Sequence, residues 1–575
     1  MKDKIAKLFS DVIKDKYSIT MDVQVERPND SSHGDYAVNV AMQLSSKLNK
    51  NPREIAQALI EGISSDLQEE LLIESFEVAG PGFINIKLNN KIFKSLLKEI
   101  IDRAKDYGKS DYGKNKQVMV EFGQPNTHKA FHVGHLKSAV SGLSMAKLHE
   151  NLGFDVIKAN YYGDVGMHVA KSTWGWLNTE KPENFEDLNI HEQMRFIDDC
   201  YVKTSKAFSE DKEVEAEIRK INKDIYDEVD NEATKTYKKL REISLAHQKD
   251  IWKELGVEYD REYPESEIYK KAVEIVEKYK DDVFEKSDGA WIYNGEKEGL
   301  TTWVFLTSEG NPTYSAKDLG LAYKKFEEYP NLYKGIVTTS VEIADYFKVV
   351  IHLLNKIMPE TEGRYFHIPF GWMLQGGRKF SSRMGGSIKG TDILDEVKSI
   401  AYKKISDLKD YSEEEKQEIV NYVANAGLKF LILSHEFHKD FSYDPDQFLS
   451  FEGFSGPYIL YTYARAKSIL RKSDQKLEDN LAEDTLTADS ETAVLKTLFA
   501  YPEVAFNAGI NITPHIVANY LYDLSQKFNS FYTELSVLNA ESDQDKNARL
   551  MLAKATAIVL QNGLNLLGID TVEKM

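Results

Sequence analysis

Residues 118–142, VMVEFGQPNTHKAFHVGHLKSAVSG, hold a short apolar strand, a turn and a helix opened by paired histidines. Val118, Val120 and Phe122 mark the strand, and Pro125 and Asn126 turn the chain. The helix that starts at His132-Val-Gly-His135 carries Leu136, Val140 and Leu143 on one face and stops near Gly153. A second strand, FDVIKAN, follows at once. Strand, helix and strand at this spacing make a βαβ unit with a right-handed crossover. Ligands of such a sheet bind beyond the carboxyl ends of its strands. Glu121, Asn126, the two histidines and Asp164 all fall at that edge. The unpaired N–H groups and positive dipole end of the helix favour an anion there. His132 and His135 add hydrogen-bond donors, and Gly134, without a Cβ, lets a phosphate-bearing ligand approach the backbone. Lys129 adds a fixed positive charge three residues before His132.

The rest of the chain arranges itself around this unit. Residues 1–110 read as a small α+β domain. It has an amphipathic helix at the start, a new helix opened by Asn51-Pro52, and a turn at Gly80-Pro81-Gly82 feeding a strand with Phe83, Ile84 and Ile86. The lysine-rich RAKDYGKSDYGKNK links it to an α/β region over residues 115–395. Within that region, residues from about 178 to 290 are rich in Lys, Glu and Asp at helical period and read as a solvated helical insertion. The α/β pattern resumes with TTWVFLTSEGNPTYSAKDLGLAYKKF and the strand KGIVTTS. A helical connector is expected over 396–450 and an all-α domain over 451–575.

Composition excludes several classes of function. The net charge of -19 argues against a protein that coats nucleic acid without specificity, because phosphate binding needs a basic field. A local basic groove on an acidic body is still compatible with it. Cys200 is the single cysteine, so there is no intramolecular disulfide and no cysteine-based zinc site. No run approaches the roughly 18 apolar residues of a membrane span, and the N-terminal helix has no apolar core of a secretory signal. The cytoplasm is the expected location. His435 and His438 in HEFH lack a nearby third ligand, so core or interface histidines explain them better than a metal site.

A second basic element lies far downstream, Gly376-Gly-Arg-Lys-Phe-Ser-Ser-Arg383-Met-Gly-Gly386. Glycines around Lys379 and Arg383 suit a mobile cationic loop that closes on an anionic ligand and stabilises developing negative charge. An ordinary solvated basic turn reads the same stretch equally well. Together with HVGH, however, it resembles the HIGH and KMSKS pair of class I aminoacyl-tRNA synthetases. The loop is degenerate, with Ser382 where a second lysine is expected. That departure is typical of arginyl-tRNA synthetases, in which a lysine just before HIGH supplies the charge, and Lys129 sits there.

The resemblance to arginyl-tRNA synthetases runs nearly end to end. GDYAVNVAMQLSSKLNKNPREIA and EVAGPGFINIKL resemble the family's own N-terminal domain, which contacts the tRNA elbow. NYYGDVGMHVAK and NPTYSAKDLGLA resemble its substrate-pocket motifs. GPYILYTYARAKSIL, DLSQKFNSFYTELSVL and NGLNLLGIDTVEKM resemble a DALR-type anticodon-binding domain. The resemblance implies a multidomain α/β protein. It has a class I Rossmann-like catalytic domain, an α+β N-terminal domain and an all-α C-terminal bundle that binds the anticodon. The lysine- and glutamate-rich insertion would then be a connective insert that helps hold the RNA end.

The resemblance also assigns roles. Lys129, His132, His135 and Lys379 would be catalytic. The two histidines, Gly134, Lys379, Ser381 and Arg383 would bind ATP. Glu121, Asn126, Tyr314, Asp318 and Glu342 would bind arginine, Glu342 standing where the family has a glutamine without a clear match here. A guanidinium is a planar fork of donors that wants carboxylates, and Tyr314 and Asp318, four apart, share one helical face. Tyr458, Arg465 and Arg471 would meet tRNA, aromatic faces stacking bases and cations meeting phosphates, although helix core explains some of those tyrosines as well. Asp164 orders the pocket or the RNA end, or is a simple turn aspartate. ATP with Mg²⁺ is the expected co-substrate, with no tightly bound cofactor and no protein metal site. Expected partners are tRNA(Arg), ATP and L-arginine, with no membrane, in a monomer whose activation step waits for tRNA. A ligase for another amino acid and a non-catalytic RNA-binding relative are the competing readings.

Overall fold

Lys2–Tyr17 forms helix α1, with Ile5, Leu8, Phe9, Val12 and Ile13 buried along one side at helical spacing. The computed structural model describes residues 1–28, 33–379, 389–406, 411–478, 481–482 and 484–575. The chain divides into two compact units. The first comprises Met1–Tyr107, Ala466–Tyr501 and Gln526–Val559. Its N-terminal part adds β1 (Val25–Glu26), β2 (Tyr36–Val38), α2 (Val40–Leu48), α3 (Pro52–Glu61), α4 (Ser65–Glu70), β3 (Ile73–Ala79), β4 (Phe83–Leu88) and α5 (Asn90–Arg103). Pro52 at the first helical position and Asn51, whose side chain accepts from Arg53 N, start α3 as the sequence implies. The four strands form an antiparallel sheet in the order β1-β2-β4-β3, and Gly80-Pro81-Gly82 turns β3 into β4. In the same unit the Arg27 guanidinium lies between the Tyr36 and Phe499 rings, at 4.7 and 4.8 Å from their centroids.

The second unit comprises Gly108–Arg465, Pro502–Ser525 and Leu560–Met575. The βαβ unit is β5 (Gln117–Glu121), α6 (Val133–Asn151) and β6 (Asp155–Tyr162), with the two strands parallel. Next come α7 (Met167–Leu177), α8 (Ile190–Glu210), α9 (Lys212–Tyr226), α10 (Glu232–Glu254), β7 (Arg261–Pro264) and α11 (Glu265–Tyr279). A small antiparallel sheet, β8 (Glu285–Ser287), β9 (Ala290–Tyr293) and β10 (Trp303–Leu306), precedes α12 (Tyr314–Glu328), β11 (Leu332–Ser340), α13 (Ala344–Ile357) and β12 (Tyr365–Phe370). The central sheet is wholly parallel, in the order β12-β11-β5-β6-β7. The chain leaves β5 in one direction and later returns to its other side. The order therefore reverses between β5 and β11, where such sheets open a crevice.

Two expectations change here. The segment read as a helical insertion over 178–290 contains β7, a strand of the central sheet. Arg261–Pro264 is too short to show an alternation, and its charged and proline ends suit an edge strand. Helix α6, read as one-faced, is buried nearly all round, including Ser138, Ser141, Ser144 and Lys137. Gly142 is what allows this closeness: a Cβ there would lie 2.1 Å from Phe122 Cγ.

After β12 come β13 (Met373–Gln375), β14 (Arg378–Lys379), α14 (Gly390–Ile405), α15 (Glu413–Leu433), β15 (Phe441–Ser442) and α16 (Pro445–Phe448). Helices α17 (Gly456–Arg471), α18 (Asp489–Asn511), α19 (Pro514–Glu534) and α20 (Asp543–Leu566) complete the chain. His435 and His438 follow α15 in a turn instead of lying on a helix, and His435 stacks on Phe441 at 4.9 Å.

Candidate active site

The crevice between β5 and β11 is a cleft of about 280 Å³. Gly123, Gln124, His132, Gly134 and His135 line one side, and Thr339, Ser340 and Phe370–Met373 the other. His132 caps α6: its Nδ1 accepts from Gly134 N at 3.1 Å. His135 reciprocates, its Nδ1 accepting from His132 N at 3.2 Å. The rings stack with centroids 3.5 Å apart. Because both Nδ1 atoms accept, each neutral imidazole carries its proton on Nε2 and is a donor there. Burial, then the Lys129 charge, pushes His132 down to about 4. Burial, the neighbouring ring and Lys129 hold His135 well below the usual histidine range. These histidines are thus uncharged donors at neutral pH, and the fixed charge nearby is the ammonium of Lys129, 4.5 Å from the Tyr201 ring centroid. Gly134 is needed because its Cβ would lie 2.9 Å from His132 Cε1. Deeper in the cleft, Lys137 donates from Nζ to Gly371 O at 2.5 Å, and burial lowers its pKa to about 7.

A second cluster of polar side chains gathers at the start of α12, where the charges of Glu121 and Glu265 bear on Asp318. Asp318 is half-buried and accepts from Tyr346 Oη at 2.5 Å. Among the described residues no lysine or arginine pairs with it. Burial first, then the charges of Glu121 and Glu265, raise its pKa to about 7. Tyr314, 66% exposed, stands one turn earlier on the same face. Glu121 is buried, and both its oxygens are engaged, by Lys325 Nζ and, at 2.9 Å, by Gln124 Nε2. Direct contact with a ligand is thus not what its geometry favours: it adds negative charge beside Asp318. Asn126 and Glu265 converge over Gly163, where a Cβ would lie 2.3 Å from Asn126 Oδ1 and 3.3 Å from Glu265 Oε2. Glu265 is buried and ion-paired with Lys317, and burial raises its pKa above the usual carboxylate range.

The remaining sequence candidates fall elsewhere. Glu342 is exposed on a short 3₁₀ turn, Val341–Ile343, beyond β11, where its N–H donates to Ser340 Oγ at 3.3 Å. Lys379 is placed by its backbone, paired with Leu374, and Gly376 and Gly377 form the two-residue turn before it, with φ of +57° and +76°. Ser381 and Arg383 lie outside the described residues. Asp164 is fully buried and no surface turn: it accepts from Ser266 N, Ser266 Oγ and Arg241 Nε, each at 2.8 Å. Tyr458 lies against Tyr522, with ring centroids 5.6 Å apart, and the Arg465 guanidinium sits over Tyr461 at 4.7 Å. Arg471 is the exposed last residue of α17.

Comparisons with known proteins bear on this arrangement. The family model described as the catalytic domain of class I tRNA synthetases (R) matches residues 96–445. The DALR anticodon binding domain matches residues 459–575, and the arginyl tRNA synthetase N terminal domain matches 2–88. An arginine–tRNA ligase of Fusobacterium nucleatum is 33% identical over 563 residues, covering 96% of this chain and 95% of that protein. One from Lactobacillus johnsonii is 32% identical, with all of both chains covered. The chain belongs to the arginyl-tRNA synthetases. The solved arginyl-tRNA synthetases of Plasmodium falciparum and Thermus thermophilus share its fold, each 23% identical. Their TM-scores are 0.80 and 0.79, over all of this chain and 99% and 100% of theirs. The catalytic unit is thus a class I domain that uses ATP, with an N-terminal domain and a helical DALR domain. Sequence reasoning missed Glu265, Lys137 and Lys325. Pro264 directly before Glu265 was the one available sign, since proline suits the residue just ahead of a helix start.

Proposed function

We propose that this chain works as an arginine–tRNA ligase through two adjoining pockets, one for each reactant of the first step. Asp318 carries the reading: a half-buried carboxylate, without a cationic side chain paired to it among the described residues, suits a guanidinium. Glu265, whose charge bears on Asp318, converges with Asn126 beside Gly163, and Tyr314 stands one turn before Asp318 on α12. ATP lies along the α6 N-terminus with its phosphates on the Nε2–H donors of His132 and His135, against the backbone of Gly134. The carboxylate of arginine attacks the α-phosphate and pyrophosphate leaves. The chain's part is positioning and charge stabilisation, with Lys129 and Lys379, Ser381 and Arg383 as its cationic and polar elements. Mg²⁺ arrives with the triphosphate, bridging its phosphates, and needs no dedicated protein cage.

The activated arginine then passes to the terminal ribose of tRNA(Arg), with AMP released. Tyr458, Arg465 and Arg471 on α17 contact the RNA. No described helix is long and apolar enough to cross a membrane, and we place the enzyme in the cytoplasm as a monomer. Because the net charge is -19, tRNA is held by local cations working against an acidic body. Filter binding should therefore show tRNA affinity falling at least about tenfold between roughly 50 and 200 mM salt; a flat dependence would remove phosphate contacts from the reading. Arginine-dependent exchange between ATP and labelled pyrophosphate, with and without tRNA, tests the assignment as a whole. Exchange is expected with arginine and tRNA present. Exchange driven by another amino acid rejects the arginine pocket, and none with any amino acid rejects the enzyme.

A further inference from the structure

One face of α8, in the helical insertion, runs along both the turn that leads into α6 and the start of α14. Residues 195, 198 and 201 recur at three-residue spacing and so lie on one side of the helix. Tyr201 lies against Lys129. Asp198 Oδ1 accepts from Ala130 N at 2.8 Å, and its Oδ2 pairs with Lys389 Nζ at 3.2 Å. Arg195 reaches Asp392 Oδ1 in α14 at 3.0 Å. The two segments also touch directly: Gly390 N donates to Phe131 O at 2.6 Å, and His132 and Lys389 form an antiparallel bridge. Asp198 thus holds two groups at once. One is the backbone between Lys129 and His132; the other is the residue that caps α14.

We propose that Asp198 is a positioning residue for adenylate formation, fixing from the insertion the turn that carries Lys129 and His132 against the start of α14. The proposal rests on the assignment of that turn to ATP. Several observations favour this over simple packing. Asp198 is 13% exposed on its side chain and pairs with Lys389, itself 23% exposed, so the ion pair is partly shielded from solvent. Its other oxygen is spent on a backbone N–H at the root of the helix cap rather than within its own helix. A shift of about 1 Å in such a turn misaligns the attacking oxygen and the α-phosphate, which lowers turnover without weakening arginine binding in the separate Asp318 pocket.

The test uses the full chain in arginine-dependent ATP–pyrophosphate exchange with tRNA present. Asp198→Asn keeps an acceptor for Ala130 N but loses the charge facing Lys389; Asp198→Ala loses both. We expect kcat to fall about tenfold in the first and further in the second, with KM for arginine within twofold of wild type and the thermal midpoint within a few degrees. Lys389→Met breaks the ion pair from the other end, should lower kcat like Asp198→Asn, and should add little to it in the double variant. Unchanged kcat in these variants, or a rise in KM for arginine that accounts for the loss, overturns the proposal. If Asp198→Asn does not fold, Lys389→Met decides alone by the same criteria. An inactive wild-type chain overturns the ATP assignment and this proposal with it, whereas an active wild type with unaffected variants overturns only the positioning role.

Discussion

Asp318→Asn should lower kcat/KM for arginine by roughly two to three orders of magnitude, the cost of about 2–5 kcal/mol for removing one partner of a buried charge pair. The side chain keeps its shape and can still accept from Tyr346 Oη, so the loss reads the charge itself. The pH dependence gives a second signature. Burial and the neighbouring carboxylates hold Asp318 at about 7 in the free protein. A guanidinium binds the ionised form, so kcat/KM for arginine should rise about tenfold per pH unit up to near 7 and level off above it. Binding near neutral pH should release a proton, visible as a buffer-dependent heat in calorimetry. The sign for stability is opposite to that of an ion-paired carboxylate. With its folded pKa raised above the ordinary 3.8, Asp318 favours folding while protonated. That contribution fades as pH rises from about 4 through 7, and bound arginine restores it. KM for ATP should be flat over the same range, because His132, at about 4, is already neutral. An Asn variant with unchanged arginine KM, or a wild-type profile without the inflection, would sink the pocket assignment.

What the sequence made legible depended on range. The α6 cap was readable because strand, turn and helix are contiguous, and a glycine between two histidines has a local reason. Tyr314 and Asp318 were readable because four-residue spacing on a helix sets a common face. Glu265 was hidden because its strand is four residues long and sits inside a charged stretch whose periodicity looks solvated. Lys325 and Lys317 escaped for a related reason: on α12 they interrupt an apolar pattern as surface lysines would, and only the distant partners Glu121 and Glu265 turn them inward. The cationic loop was recognised by composition, and the structure supplies its root, the Gly376-Gly377 turn. Asp198 carries no sequence signal, since its two partners lie far away in the chain.

The Glu121–Lys325 pair allows the sharpest separation of stability from chemistry. Both side chains are at most 3% exposed. Removing either one leaves the other as an uncompensated buried charge, at a cost of about 3–5 kcal/mol. Lys325→Met strands the Glu121 carboxylate with Gln124 as its remaining donor, and Glu121→Gln strands an ammonium with the Tyr365 hydroxyl at 3.0 Å. Each single variant should therefore unfold at clearly lower urea concentration. The double variant should recover most of the loss, because neither charge then remains to be desolvated. Their effects on arginine binding should have opposite signs. Glu121 raises the pKa of Asp318 and Lys325 lowers it. Glu121→Gln should move the arginine pH inflection below 7 and strengthen binding at pH 6, while Lys325→Met should move it above 7 and weaken binding there. The double variant should sit slightly below wild type, since the Glu121 influence is the larger of the two. If Glu121 instead gripped the guanidinium directly, Glu121→Gln would weaken arginine at every pH, and the two single variants would shift in the same direction. The crossed pattern of inflections, read in variants whose folding is monitored independently, thus decides between a contact residue and a charge that tunes its neighbour.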